Sequence, residues 1–105
     1  VYLCGPTWGC IDMNRPAFEE AARKLRNRGA YVYVPDACDP ADHARARDVL
    51  RQNLHALTED GYAGEGQVDM IVCLPQLDHS TDSMVIKDVA VRIGIPIRSW
   101  EQVVS

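Results

Sequence analysis

Two stretches of the chain hold residue types that bind or transform ligands. The first, Gly5-Pro6-Thr7-Trp8-Gly9-Cys10, follows directly on the apolar run Val1-Tyr2-Leu3-Cys4. Gly5, Pro6 and Gly9 end any regular element and allow close approach to the backbone, while the Trp8 indole offers a flat face for stacking on a purine or pyrimidine, a contact worth about 1 to 3 kcal/mol. An indole in that place serves equally well to pack against a second subunit. The second stretch, Pro75 to Ser83, collects His79, Ser80, Thr81 and Ser83 at the start of a helical pattern. Their hydroxyl and imidazole groups, with the free N–H groups and dipole of the helix end, suit an anion. Ser80 or Asp82 acting only as an N-cap is the plainer reading, and the Asp82 carboxylate works against a tightly held phosphate.

The elements around these stretches set where they meet. Val1–Cys4 is apolar on both faces, as in the middle of a helix-covered parallel sheet, and such sheets bind ligands beyond the carboxyl ends of their strands. Pro16 to Arg28 carries Phe18, Ala21, Ala22 and Leu25 at helical spacing, with Glu19/Arg23 and Glu20/Lys24 pairs on the wet side and Gly29 as C-cap. Ala30 to Val34 is rich in β-formers and stops at Pro35, which predicts a second strand. Asp39-Pro40 predicts an N-cap and first helical position for a helix running to about Glu59. The glycine-rich tract Asp60 to Gly66 reads as a flexible connection. Val68 to Leu74 has the near-continuous apolar character of a central strand. Val85, Ile86, Val89, Ala90 and Ile93 form the stripe of a third helix capped by Gly94, and Ile95-Pro96-Ile97 is a short edge strand. Right-handed crossovers give an α/β, doubly wound open parallel sheet of the flavodoxin- or Rossmann-like kind, with about four strands in the order 2-1-3-4 and three main helices. The two ligand-bearing stretches then face each other at the switch point between the first and third strands.

Composition agrees with a single domain over residues 1–105. With 47% hydrophobic and 25% charged residues, the chain supports one modest core. A net charge of −4 speaks against a nucleic-acid polymer, whose binding needs clustered Lys and Arg, and favours a small-molecule ligand. No apolar run approaches the roughly 20 residues of a membrane span, and no basic and apolar leader opens the chain, so a cytoplasmic location is expected. The cysteines at 4, 10, 38 and 73 contain no Cys-x-x-Cys spacing. They are expected to be structural thiols; a zinc site from Cys10, Cys38 and His43 is the less favoured alternative. No cofactor and no metal are called for.

Val1-Tyr2-Leu3-Cys4-Gly5-Pro6, then Asn14-Arg15-Pro16-Ala17-Phe18, Val34-Pro35-Asp36 and Gly94-Ile95-Pro96-Ile97 resemble small phage and bacterial domains related to nucleoside 2-deoxyribosyltransferases. More distantly the chain is similar to 2′-deoxynucleoside 5′-monophosphate N-glycosidases, which begin with a comparable Tyr-x-Cys-Gly strand. The resemblance covers nearly the whole chain. It implies a pocket for a deoxynucleoside or deoxynucleotide, completed across a homodimer, in the cytoplasm of a bacterial host cell if the protein is phage-encoded. It also implies a Glu on the last helix that attacks the anomeric carbon and an Asp on the preceding helix that helps handle the leaving base, since an oxocarbenium-like sugar needs an anion beneath it.

Carried over, those two positions fall on Ile86 and Asn53, neither of which holds a charge. Asn53 lies on the apolar stripe of Val49, Leu50, Leu54 and Leu57, so its amide needs partners, either in a neighbouring loop or on a ligand. Asp78 is the carboxylate best placed to stand in, whereas Asp88, about 200° around the helix from Ile86, points away. His79 is better placed for acid–base work than His43 or His55, which lie on a charged helix. The expected ligand contacts are Gly5, Pro6, Trp8, Gly9, Asn53, His79, Ser80 and Ser83. The expectation is nucleoside or nucleotide recognition without the family's carboxylates. The alternatives are an active deoxyribosyltransferase or N-glycosidase with relocated acidic groups, and a non-catalytic protein-interaction module.

Overall fold

The computed structural model describes residues 1–7, 10–39, 41–58, 68–75 and 81–104. Its order is β1 (Tyr2–Cys4), a short left-handed turn (Ile11–Asn14), α1 (Arg15–Asn27), α2 (His43–Thr58), β2 (Ile71–Cys73), α3 (Thr81–Ile93), β3 (Ile97–Ser99) and α4 (Trp100–Val104). The chain is α/β, with an open parallel sheet ordered β1-β2-β3. Tyr2 stands opposite Ile71 and Cys4 opposite Cys73, and the same β2 residues stand opposite Ile97 and Ser99.

Alternation along the strands divides the core into two. Leu3, Val72 and Leu74 pack with Phe18, Ala21, Ala22 and Leu25 of α1, and Trp100 and Val103 of α4 join them. Tyr2, Cys4 and Ile71 pack on the other side with Leu57 of α2 and with Ile86 and Ala90 of α3. Helices thus cover both faces, which is why strands this apolar are stable in the centre. Each fully buried Leu, Ile, Val or Phe contributes about 1.5 to 3 kcal/mol.

Several expected elements differ in extent. Residues 30–34 meet β1 through one parallel bridge, Tyr2 to Tyr33, with Leu3 N–H donating to Tyr33 O at 3.1 Å and Tyr33 N–H to Val1 O at 2.8 Å. The Val1 ammonium also donates to Tyr31 O at 2.8 Å, so the segment runs beside β1 through Tyr31 and Tyr33 with a single bridge where a strand of five was expected. Helix α2 begins at His43, later than Asp39-Pro40 suggested, because Asp39 Oδ1 accepts from Ala41 N–H at 2.9 Å in a local turn while Asp42 Oδ1 accepts from Arg45 N–H at 3.3 Å as the cap. β3 begins one residue after Pro96, whose carbonyl accepts from Ile71 N–H at 2.9 Å. Helix α4 was not expected. It is held by a reciprocal cap in which Ser99 N–H donates to Gln102 Oε1 at 2.8 Å and Gln102 N–H to Ser99 Oγ at 3.3 Å. On α1, Glu20 takes both Arg23, at 2.8 Å, and Lys24, at 3.6 Å, in place of the two separate pairs. The glycine-rich tract at 60–66 lies outside the described residues.

Candidate functional site

The carboxyl ends of β1 and β2 leave the sheet together. Leu74 N–H donates to Cys4 O at 2.8 Å, carrying the ladder to the point where Gly5-Pro6 and Pro75 turn away. Gly5 is buried, and a Cβ there would stand 3.1 Å from Leu74 Cδ1, so the absent side chain lets the two strand exits close on each other. The Pro6 carbonyl accepts from Asn14 Nδ2 at 2.9 Å. Asn14 sits with Asp12 and Met13 in a left-handed turn, at φ of 60°, 52° and 55°, a conformation L-residues adopt at a cost. Its amide fastens that turn to the first site loop.

Asn53 is 3% exposed, on the buried stripe of α2 with Val49, Ala56 and Leu57. Its Oδ1 accepts from Tyr33 O–H at 2.8 Å and from Asp36 N–H at 3.2 Å, and its Nδ2 donates to Asp36 O at 3.1 Å. Both acceptor positions of the amide oxygen are thus taken by the chain, and one N–H remains. Asn53 fixes the segment from Tyr33 to Asp36 where it leaves the edge of the sheet. Ile86, 2% exposed, belongs to the core beneath α3 beside Tyr2, Cys4 and Leu57. Ser83 is half-buried in the first turn of α3. Asp88 is exposed and paired with Arg92 at 3.2 Å.

The residue that sequence reading passed over is Tyr2. It is 1% exposed, its ring lies 5.1 Å from that of Tyr33, and among the described residues its hydroxyl has no hydrogen-bond partner. Burial pushes its phenol far above the ordinary tyrosine range, and the charges of Cys4, Tyr33 and Asp82 add to the effect. The Asp82 carboxylate also acts on Cys38, whose thiol is raised by burial, opposed by Arg45, and raised further by Asp42, Asp82 and Asp39. The sequence signal was present: a phenol in a strand apolar on both faces must find a partner. Tyr33 and Asp36, read there only as strand and strand exit, are joined to the site through Asn53.

The structure brings Gly5, Pro6, Asn53 and Ser83 to one end of the sheet. Trp8, Gly9, Asp78, His79 and Ser80 lie outside the described residues. The four cysteines are free thiols. Among the described residues no helix is long and apolar enough to cross a membrane.

Residues 1–99 match the model of a protein family described as Domain of unknown function (DUF4406). Comparison with curated proteins and with solved structures gives no match.

Proposed function

The chain belongs to the DUF4406 family, and we propose that it recognises a nucleoside or a deoxynucleoside monophosphate without transforming it, in a pocket like that of the nucleoside 2-deoxyribosyltransferases. The observation that carries this reading is what stands at the two positions where the resembling enzymes keep carboxylates. The Asn53 oxygen is spent on Tyr33 and Asp36, and Ile86 is a core side chain, so neither offers an anion to a sugar cation. The polar equipment of recognition is present: the buried Tyr2 phenol, the remaining Asn53 N–H and the first turn of α3.

The finer topology belongs to the same proposal, with residues 30–34 as the outer strand of a 2-1-3-4 sheet and the ligand at the switch point beside β1. So does a cytoplasmic homodimer. The exposed Met84 and Val91, two turns apart on α3, are apolar surface available to a second copy.

Calorimetric titration with the four common 2′-deoxynucleosides and their 5′-monophosphates tests the reading. Binding of at least one compound is expected, with no free base released on long incubation. Absence of binding at millimolar ligand ends it. Base release that disappears in Asp78→Asn would replace it with the enzymatic alternative.

A further inference from the structure

The last turn of α1 and helix α4 border a cleft of their own. It measures about 440 Å³ and is lined by Lys24, Asn27, Arg28, Trp100 and Val104. That volume lies within the roughly 300 to 1,000 Å³ of small-molecule sites. Asn14, which fastens the first site loop, and Arg28 flank α1 at opposite ends, about 20 Å apart at the helical rise per residue. The cleft is therefore separate from the pocket at the strand exits.

Its polar lining consists of donors. The Arg28 guanidinium donates to Val103 O at 2.9 Å and to Val104 O at 3.4 Å, which fixes it against the end of α4 with N–H groups to spare. Lys24 pairs with Glu20 at 3.6 Å, but Glu20 is already held by Arg23 at 2.8 Å, so one carboxylate is divided between two cations. None of the lining residues is acidic. The Asn27 amide and the Trp100 indole N–H have no hydrogen-bond partner among the described residues. Against these donors the lining side chains offer one acceptor, the Asn27 oxygen. In a chain of net charge −4, such a lining suits an anion. The remaining wall is apolar: Trp100 is half-buried, held by its packing on the cluster of Leu3 and Phe18, and Val104 lies beside it.

We propose that this cleft is a second ligand site, for a small molecule that joins an anionic group, carboxylate or phosphate, to a flat ring. Lys24 and Arg28 receive the anion, the Asn27 and Trp100 N–H groups are further donors, and the ring lies against Trp100 and Val104. A ligand so placed bridges α1 and α4, the two elements that Arg28 already ties together.

The experiment follows fluorescence of the full chain carrying Trp8→Phe, in which Trp100 is the one indole left. The probes are benzoate, phenyl phosphate, inorganic phosphate and the neutral benzyl alcohol, at low and at high salt. The expected result is that an aromatic anion binds about tenfold or more tightly than benzyl alcohol and than inorganic phosphate, and that salt weakens it. The tighter of benzoate and phenyl phosphate identifies the anionic group. Lys24→Gln and Arg28→Gln, verified as folded by circular dichroism, should each lower that affinity by about tenfold. Equal binding of benzyl alcohol overturns the anionic requirement, and equal binding of inorganic phosphate overturns the aromatic one. No saturable response to any probe, or an affinity unchanged in Lys24→Gln, overturns the site. Lys24 is exposed and outside the core, so this variant decides the matter even where Arg28→Gln loosens α4. Each of these outcomes leaves the nucleoside reading untouched, because Asn53 and the strand exits take no part in the cleft.

Discussion

On one face of the sheet Leu3, Val72 and Leu74 meet Phe18, Ala21, Ala22, Leu25 and Val32, and every fully buried side chain is hydrocarbon. On the other face Tyr2 and Cys4 lie among Ile71, Leu57, Ile86 and Ala90, with Tyr33 alongside and Asn53 buried on the covering helix. The first face asks nothing of its surroundings beyond close packing. The second contains groups that need hydrogen bonds, some met by the chain, as at Asn53, and one met by no described residue, at Tyr2. Strand alternation, with one residue's offset between Tyr2 and Leu3, separates a face of hydrocarbon alone from a face that also buries polar groups.

The comparison is broken most forcefully on the hydrocarbon face. Phe18→Ala should lower stability by about 3 to 5 kcal/mol, a large share of the roughly 5 to 15 kcal/mol such a domain has. Urea denaturation reads the loss, and ligand affinity of the protein that remains folded should stay unchanged. A selective loss of affinity would mean that the two faces are not independent.

On the polar face the first effect is smaller and different in kind. Asn53→Ala leaves Tyr33 O–H, Asp36 N–H and Asp36 C=O without the partner that now stands at 2.8 to 3.2 Å. The expected cost is about 2 to 3 kcal/mol, with faster amide exchange at Asp36 as the local signature. Equal protection at Asp36 in the variant would show that the loop is held by something else.

These two residues also mark what the sequence made legible. The stripe of Phe18, Ala21, Ala22 and Leu25 was readable because four apolar positions repeat at the helical period, and all four are buried. Gly29 and Gly94, at φ of 89° and 82°, were readable because the left-handed region at a helix end favours glycine. Residues 30–34 were legible in part: β-propensity states that a segment suits a pleated surface, and the segment does lie parallel beside β1, but its extent depends on the neighbour's register, and Tyr33 forms the one bridge among the described residues. Helix α4 was missed because five residues carry no measurable period, although Ser99-x-x-Gln102 has the form of a capping box. The left-handed turn at 12–14 contains no glycine and gave no signal. Within the site, Asn53 stood out as an amide on an apolar stripe, whereas Tyr2 was hidden by its own hydrophobicity.

Tyr2 therefore sharpens the comparison most finely, through Tyr2→Phe. At neutral pH this change removes a hydroxyl without a described partner while keeping the ring against Tyr33, so stability should change by no more than about 1 kcal/mol, in the favourable direction. Alkaline pH supplies the second readout. Burial holds the Tyr2 phenol protonated in the folded chain far above its ordinary range, while in the unfolded chain it ionises near pH 10. The folded state then binds more protons than the unfolded one, so the stabilising contribution is complete below about pH 10 and is lost as pH rises beyond it, by about 1.4 kcal/mol per pH unit. Denaturation of the unaltered protein and of Tyr2→Phe across that window should give curves that diverge, the variant losing less, since every other titrating group is common to both. Parallel curves would mean that Tyr2 ionises in the folded protein, and a variant destabilised by about 1 to 3 kcal/mol at pH 7 would mean that the hydroxyl has a partner within the chain. Either result would make the polar face as self-contained as the hydrocarbon one.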